Sequence, residues 1–163
     1  VLGLSGDGTV QRLAATPDQV VAGDDRATLY RLTMVAIQDA PWTGHGFGAF
    51  LPAFRMYRDT ALPWPSIWDF AHNVFLEMAM DLGLPAAALL GLSLLAVVWA
   101  CLRGIVQRRR DQIYPAAAVA AAVLIGAHDL VDFSAQMPAV AVTLALLLGV
   151  GFAQSRRTAD SRS

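Results

Sequence analysis

The chain has 163 residues, is 56% hydrophobic and only 15% charged, and has a mean hydropathy of +0.49. This composition lies outside the usual range of a soluble domain and predicts an integral membrane protein. A net charge of −1 argues against nucleic acid as a partner, because such a partner requires a basic face. The single cysteine, Cys101, excludes an intrachain disulfide.

The first predicted element is a helix on a polar, aromatic-rich segment. Residues 1–23 have little periodicity and several turn-forming residues, which predicts a loop. Asp24 or Asp25 can then cap a helix that runs to about Ala40, where Pro41 ends it.

One arginine of this helix has an unusual predicted position. Helical spacing places Arg26 on the same face as Tyr30, Met34 and Ile37, whereas Arg31 points the other way. An arginine on an apolar face needs a partner or a wet cavity. Snorkelling from the first turn, or pairing with a nearby aspartate, is an equally acceptable interpretation.

A glycine-rich segment, Gly44–Gly48, follows this helix with the sequence GHGFG. Closely spaced glycines can expose backbone N–H groups to a phosphate. No strand precedes the segment and no Lys-Ser/Thr pair ends it, so a tight turn is favoured, with His45 solvated. Further on, Trp64 and Trp68 precede the first apolar span; anchoring at the membrane interface is favoured over a wall for a sugar ring.

A second helix is predicted from a capping pattern at Ser66 and Asp69 to about Leu82, with Gly83 at its end. Its polar residues recur at four-residue steps and make one stripe: Asn73, Glu77 and Asp81. His72 lies beside this stripe, near the expected outer boundary of the membrane. A lone histidine is usually a structural residue, but ionisable groups at this depth tend to line cavities.

Three apolar spans follow, at about 84–104, 113–131 and 137–153, and each can form a membrane helix. Arginines cluster after the first and the third span, whereas the turn at 129–136 carries only acids. The positive-inside rule therefore places the arginine clusters in the cytoplasm and residues 1–83 outside.

Three segments together resemble the C-terminal half of the bacterial O-antigen ligase/polymerase family. They are DRATLYRLTMVAIQDAPWTGHGFGAF (25–50), AHNVFLEMAMDLGLPAA (71–87) and HDLVDFSAQMPA (128–139). The family's usual run is an Arg, an aromatic, a helix ending in Pro, a glycine-rich turn, then His-Asn and Leu-Glu. The resemblance covers about 25–153, and the chain looks like the C-terminal part of a larger polytopic protein.

The resemblance implies an all-α polytopic bundle of the GT-C type and a membrane glycosyltransferase. The implied donor is a polyprenyl-pyrophosphate-linked glycan, and the implied acceptor is a lipid A-core or a growing glycan at the outer face of the bacterial cytoplasmic membrane. Arg26 matches the arginine expected to bind the pyrophosphate, and His72 matches the histidine near the reacting centre. The family is generally metal-independent, so no metal or cofactor is expected.

Further substrate contacts are expected from Arg31, Asn73, Gly46 and Trp68. Whether such a protein acts as a ligase, a polymerase or a protein O-oligosaccharyltransferase stays open. A non-enzymatic membrane protein, either a transporter or an assembly subunit, is the competing class. His128 and Asp132, four residues apart, are read as a structural hydrogen bond, and a metal site is rejected because no third ligand has suitable spacing.

Overall fold

The computed structural model describes residues 16–58, 62, 69–107 and 111–156, with side chains of the first helix described from residue 25 onward. The described ranges contain helices and their connections, which confirms the all-α prediction. The α-helices are α1 (Thr16–Asp39), α2 (Phe50–Tyr57), α3 (Val74–Leu82), α4 (Leu84–Gln107), α5 (Ile113–His128) and α6 (Pro138–Ser155), with a 3-10 turn at Ser134–Gln136.

Helix α1 begins earlier than predicted. It starts at Thr16, so the loop prediction was wrong for residues 16–23. Pro17 suits the first turn of a helix because a helix leaves its first N–H groups unbonded, and this signal outweighs the glycine at position 23. The helix ends at Asp39, just before Pro41, as predicted.

The buried face of α1 also differs from the prediction. Its buried residues are Leu29, Leu32, Thr33, Ala36 and Ile37. Met34, expected on that face, is 46% exposed, and the side chain of Arg26 is exposed as well. Two overlapping stripes of apolar residues run along this helix, and the stripe with more leucine packs against α2 and α3.

Helices α1, α2 and α3 share one core, and the unit that they form is called the outer domain because the charge pattern predicts that residues 1–83 lie outside the membrane. The phenyl rings of Phe50 and Phe54 stack with centroids 5.1 Å apart, and both lie with Leu29 and Met80 in a single buried cluster. Because α1 and α3 meet in this core, residues distant in sequence are held side by side. This outer cluster is separate from the packing between the apolar helices.

The glycine-rich segment forms a turn, as predicted. Gly44 has φ +65°, and a Cβ at this position would collide with the Asp81 carbonyl. Gly83 has φ +78°, and its Cβ would lie 2.6 Å from the Trp42 carbonyl oxygen. The Leu84 N–H donates to the Pro41 carbonyl at 2.8 Å, which fixes this turn against the start of α4.

Helix α3 starts later than the capping pattern predicted. Its N-cap is Asn73, whose Oδ1 accepts from the Leu76 N–H at 3.0 Å. Asp69 lies outside any helix, so the predicted start was wrong, and Ser66 lies outside the described residues. Gly83 ends the helix, as predicted.

The three apolar helices pack on one another at small residues. Helices α4 and α6 are long and apolar enough to cross a membrane, whereas α5 is apolar but shorter and ends at His128 instead of Val131. Cys101, Ala118 and Leu148 form the buried centre of this bundle. Small side chains at such positions allow close approach of helices, which is the usual basis of packing within a membrane.

Candidate active site

His72 lies in the segment 69–73, just before the N-cap of α3. Its backbone has φ +50°, which is uncommon for a residue other than glycine. Its Nδ1 lies 3.6 Å from Oδ1 of Asp132, and a quarter of the side chain (25%) is exposed. This imidazole and this carboxylate, which are distant in sequence, therefore lie close enough to interact electrostatically.

Asp132 also faces a second histidine. Its Oδ2 lies 3.8 Å from Nδ1 of His128, and the same nitrogen is 2.8 Å from the hydroxyl oxygen of Ser134. The carboxylate thus sits between the two imidazoles. A neutral His72 with its proton on Nδ1, the tautomer that a nearby carboxylate favours, would have Nε2 as its proton acceptor.

The turn that carries Asp132 is tied to the segment that carries His72. The Val74 N–H donates to the Asp129 carbonyl at 3.0 Å, and the Asn73 amide Nδ2 donates to the Leu130 carbonyl at 3.0 Å. The buried Asp129 accepts from the Ala135 N–H through Oδ1 at 2.9 Å. These bonds make the end of α5 and the start of α3 one structural unit.

Aromatic rings form one side of this site. Phe133 meets the His72 ring edge to face, with centroids 5.4 Å apart. The opposite neighbour of Phe133 is Phe70, stacked at 4.6 Å. Phe70 is 37% exposed, so this pair presents apolar surface next to the two histidines.

Two carboxylates of α3, the helix that begins next to His72, are buried. Glu77 accepts from the Ala71 N–H at 2.8 Å, and burial raises its pKa despite this bond and another with Gln136. Asp81 accepts from the Gly48 N–H at 2.8 Å, and burial likewise raises its pKa although that bond and the nearby His45 lower it. Both carboxylates fix backbone segments.

The amides of the glycine-rich turn are engaged within the protein. The His45 and Gly46 N–H groups donate to the carbonyls of Met80 and Asp81, each at 2.9 Å. The prediction that the His45 ring is solvated was wrong, because its Nε2 lies 2.9 Å from the Ala36 carbonyl oxygen. The turn therefore joins α1 to the C-terminal end of α3.

A family described as O-antigen ligase matches residues 10–91 of the chain. The chain belongs to the O-antigen ligase family. A curated relative from Acinetobacter baylyi, named a general O-oligosaccharyltransferase, is 23% identical over 151 residues. That alignment covers 91% of this chain but 25% of the relative, so the chain spans about a quarter of its length. No solved structure matches the chain.

The O-antigen ligase match includes Arg26, Gly46 and His72 but ends before Asp132. Arg26 is exposed on α1, four residues before Tyr30, whose hydroxyl donates to the His72 carbonyl at 2.8 Å. Residues four apart share one side of a helix, so Arg26 lies on the side of α1 that faces His72. The other residues predicted to bind substrate do not lie together at one place in the structure.

The Asn73 side chain joins the His72 segment to the turn at 129–136. Arg31 is exposed on the side of α1 that lies opposite the buried core. Trp68, with Trp64, lies outside the described residues. Sequence reasoning treated His128 and Asp132 as a local pair and missed the contact between Asp132 and His72. The signal available was the HDLVDF motif, which contains both acids of the turn.

Proposed function

We propose that this protein is part of a membrane glycosyltransferase that transfers or polymerises a glycan from a polyprenyl-pyrophosphate carrier. The reaction would take place at the outer face of the bacterial cytoplasmic membrane, with residues 1–83 periplasmic and the C-terminus cytoplasmic. The acceptor would be a lipid A-core or a growing glycan. Membership of the O-antigen ligase family supports this class of reaction.

The observation that carries the proposal is the contact between His72 and Asp132 at the membrane-proximal end of the outer domain. A histidine with a carboxylate at Nδ1 can act as a general base through Nε2. The neighbouring surface formed by Phe70 and Phe133 gives an apolar wall on which a sugar ring can stack. A partly exposed imidazole at this position can be reached by an acceptor that arrives from outside.

In the proposed reaction, the acceptor hydroxyl oxygen attacks the anomeric carbon of the donor glycan. A new carbon–oxygen bond forms while the bond between that carbon and the pyrophosphate oxygen breaks, and the electron pair leaves with the lipid pyrophosphate. His72 takes the hydroxyl proton on Nε2, and Asp132 stabilises the resulting imidazolium. Arg26 would bind the pyrophosphate through its planar guanidinium, which matches phosphate oxygens.

The test is the replacement His72→Ala in the full-length protein, with glycan transfer measured in reconstituted vesicles from a polyprenyl-pyrophosphate donor. We expect turnover to fall by roughly 10²–10⁴-fold, the usual contribution of a general base, while membrane insertion is retained. Asp132→Asn should lower turnover to a smaller extent, because the imidazole remains but its supporting charge is lost.

Asp111→Asn is the matched control. This exposed aspartate lies next to the start of α5, at the end opposite His128. Its φ of +61° is also tolerated by asparagine. Full turnover of the His72→Ala protein would remove His72 from the reaction. Activity abolished by EDTA and restored by Mg²⁺ would overturn the metal-independent scheme. Transport of the glycan without transfer would favour the non-enzymatic class.

A further inference from the structure

We infer that Tyr30 and Glu77 are positioning residues that hold the backbone around His72 so that its imidazole faces Asp132. This inference rests on the proposed function, because it concerns the histidine assigned as base. Neither side chain contacts the reacting atoms in this arrangement. Tyr30 acts on the peptide that follows the His72 Cα atom, and Glu77 acts on the peptide between Phe70 and Ala71, one residue before His72.

The His72 backbone requires external support. A φ of +50° is in the left-handed region, where Cβ crowds the following carbonyl oxygen, and a non-glycine residue stays there only when its surroundings impose it. Relaxation to a right-handed or extended conformation would redirect the Cα–Cβ bond. The imidazole would then leave Asp132.

Tyr30 acts on the peptide after the His72 Cα atom. Its hydroxyl donates to the His72 carbonyl at 2.8 Å, across 42 residues of sequence. The tyrosine is on α1, whose position is fixed by the packing of Leu29 and Ile37 in the outer core. A rigid helix therefore determines the direction of the His72 carbonyl, and through it ψ of this residue.

Glu77 acts one residue earlier, on the peptide between Phe70 and Ala71. Its Oε2 accepts from the Ala71 N–H at 2.8 Å, and Ala71 itself is fully buried. The carboxylate is only 7% exposed, and a buried carboxylate is costly unless its hydrogen bonds are satisfied. Its second partner, Gln136, belongs to the 3-10 turn that follows Asp132, so Glu77 ties His72 and Asp132 to one point on α3.

The chain offers a matched set of variants for Tyr30, since its three tyrosines are Tyr30, Tyr57 and Tyr114. Tyr30→Phe removes one oxygen atom and keeps the ring. Tyr57→Phe removes a hydroxyl that hydrogen-bonds with Asp39 in the outer domain, and Tyr114→Phe removes one from the first turn of α5, at the far end from His128. Only the first change affects the His72 carbonyl.

In the full-length protein, Tyr30→Phe should lower kcat for glycan transfer by about 10-fold and leave the donor KM unchanged, because a misplaced base affects chemistry more than binding. The Tyr57→Phe and Tyr114→Phe proteins should keep the parent kcat. Glu77→Gln should keep most of the turnover, because the amide oxygen can still accept from Ala71. Glu77→Leu should lose about 10-fold or more, since leucine cannot accept a hydrogen bond.

A readout independent of turnover is the rate at which diethyl pyrocarbonate modifies His72, followed by mass spectrometry with His45 as the internal reference. In the parent protein the His72 side chain is 25% exposed beside Asp132. Its release in Tyr30→Phe and in Glu77→Leu should raise the modification rate several-fold relative to His45. Glu77→Gln should leave this rate near that of the parent.

An unchanged modification rate in Tyr30→Phe and Glu77→Leu would overturn the positioning role, even if kcat fell. That result would leave the proposed function intact provided that His72→Ala still loses turnover. Conversely, full activity of His72→Ala together with faster modification of His72 in Tyr30→Phe would refute the role of His72 as base and leave the positioning contacts established.

Discussion

Arg26 is exposed rather than buried, yet its place on α1 keeps it a candidate for binding a pyrophosphate. It lies one helical turn before Tyr30, which contacts the His72 carbonyl. Arg26→Lys in the full-length protein should lower turnover by about 10-fold or more, because a lysine lacks the planar fork that binds two phosphate oxygens. The measurement is donor-dependent transfer in vesicles.

The control is Arg55→Lys on α2, another exposed arginine of the outer domain. This change keeps the charge and should keep the parent turnover. Equal behaviour of the two variants would mean that Arg26 contributes only charge, or nothing, to the reaction.

At the residue scale, the sequence predicted which groups are candidates but not how they meet. His72 and Asp132 were each visible in a motif, and their contact depends on the packing of α3 against the 129–137 turn. Local spacing does not report such a contact, because two segments far apart in sequence create it. The left-handed backbone of His72 could not be predicted either, because this conformation is usually marked by a glycine and the residue here is a histidine.

At the scale of elements, small residues determine how the three apolar helices approach one another. A Cβ on Gly151 of α6 would collide with the Ala118 Cβ and lie 3.3 Å from the Cys101 Sγ, whereas one on Gly149 would meet nothing within 4 Å. Gly151→Ile should therefore destabilise the bundle by about 1–3 kcal/mol, the usual cost of overpacking. Thermal unfolding of the purified protein in detergent measures this effect.

Gly149→Ile is the control for this change, because it adds the same side chain to the same helix on an open face. It should unfold close to the parent temperature. Equal loss of stability in the two variants would show that helix propensity, rather than packing against α4 and α5, determines the effect.

Sequence patterns correctly predicted the C-terminal ends of α1 and α3 from a proline and a glycine, but they misplaced the starts of both helices. Gly83 and Pro41 ended their helices as expected. The start of α3 was misplaced because two capping signals compete. Ser66 and Asp69 match a capping pattern in the sequence, but Asn73 is the residue that caps the helix. Hydrophobic spacing predicted the buried face of α1 only in part, since Ile37 is buried but Met34 is exposed, because the choice between two stripes depends on the partner surface.

At the scale of the whole molecule, the two ends of the helical bundle carry different ionisable residues. One end carries His72, His128 and Asp132. At the other end, the Arg103 guanidinium lies 5.2 Å from the Trp99 ring centroid, and that of Arg156 lies 4.4 Å from the Phe152 ring centroid. Arginine next to an aromatic ring is typical of a membrane–water interface.

This arrangement predicts the orientation of the protein in the membrane. In a Cys101→Ser background, Phe47→Cys introduces a thiol at a site that is 81% exposed in the outer domain, and Gln107→Cys introduces one at the end of α4. An impermeant thiol reagent applied to right-side-out vesicles should label the cysteine at position 47 at once. It should label the cysteine at position 107 only after permeabilisation, because the arginine-rich end is expected to face the cytoplasm. Labelling in the reverse order would invert the topology and place His72 on the cytoplasmic side, away from any outward-facing acceptor.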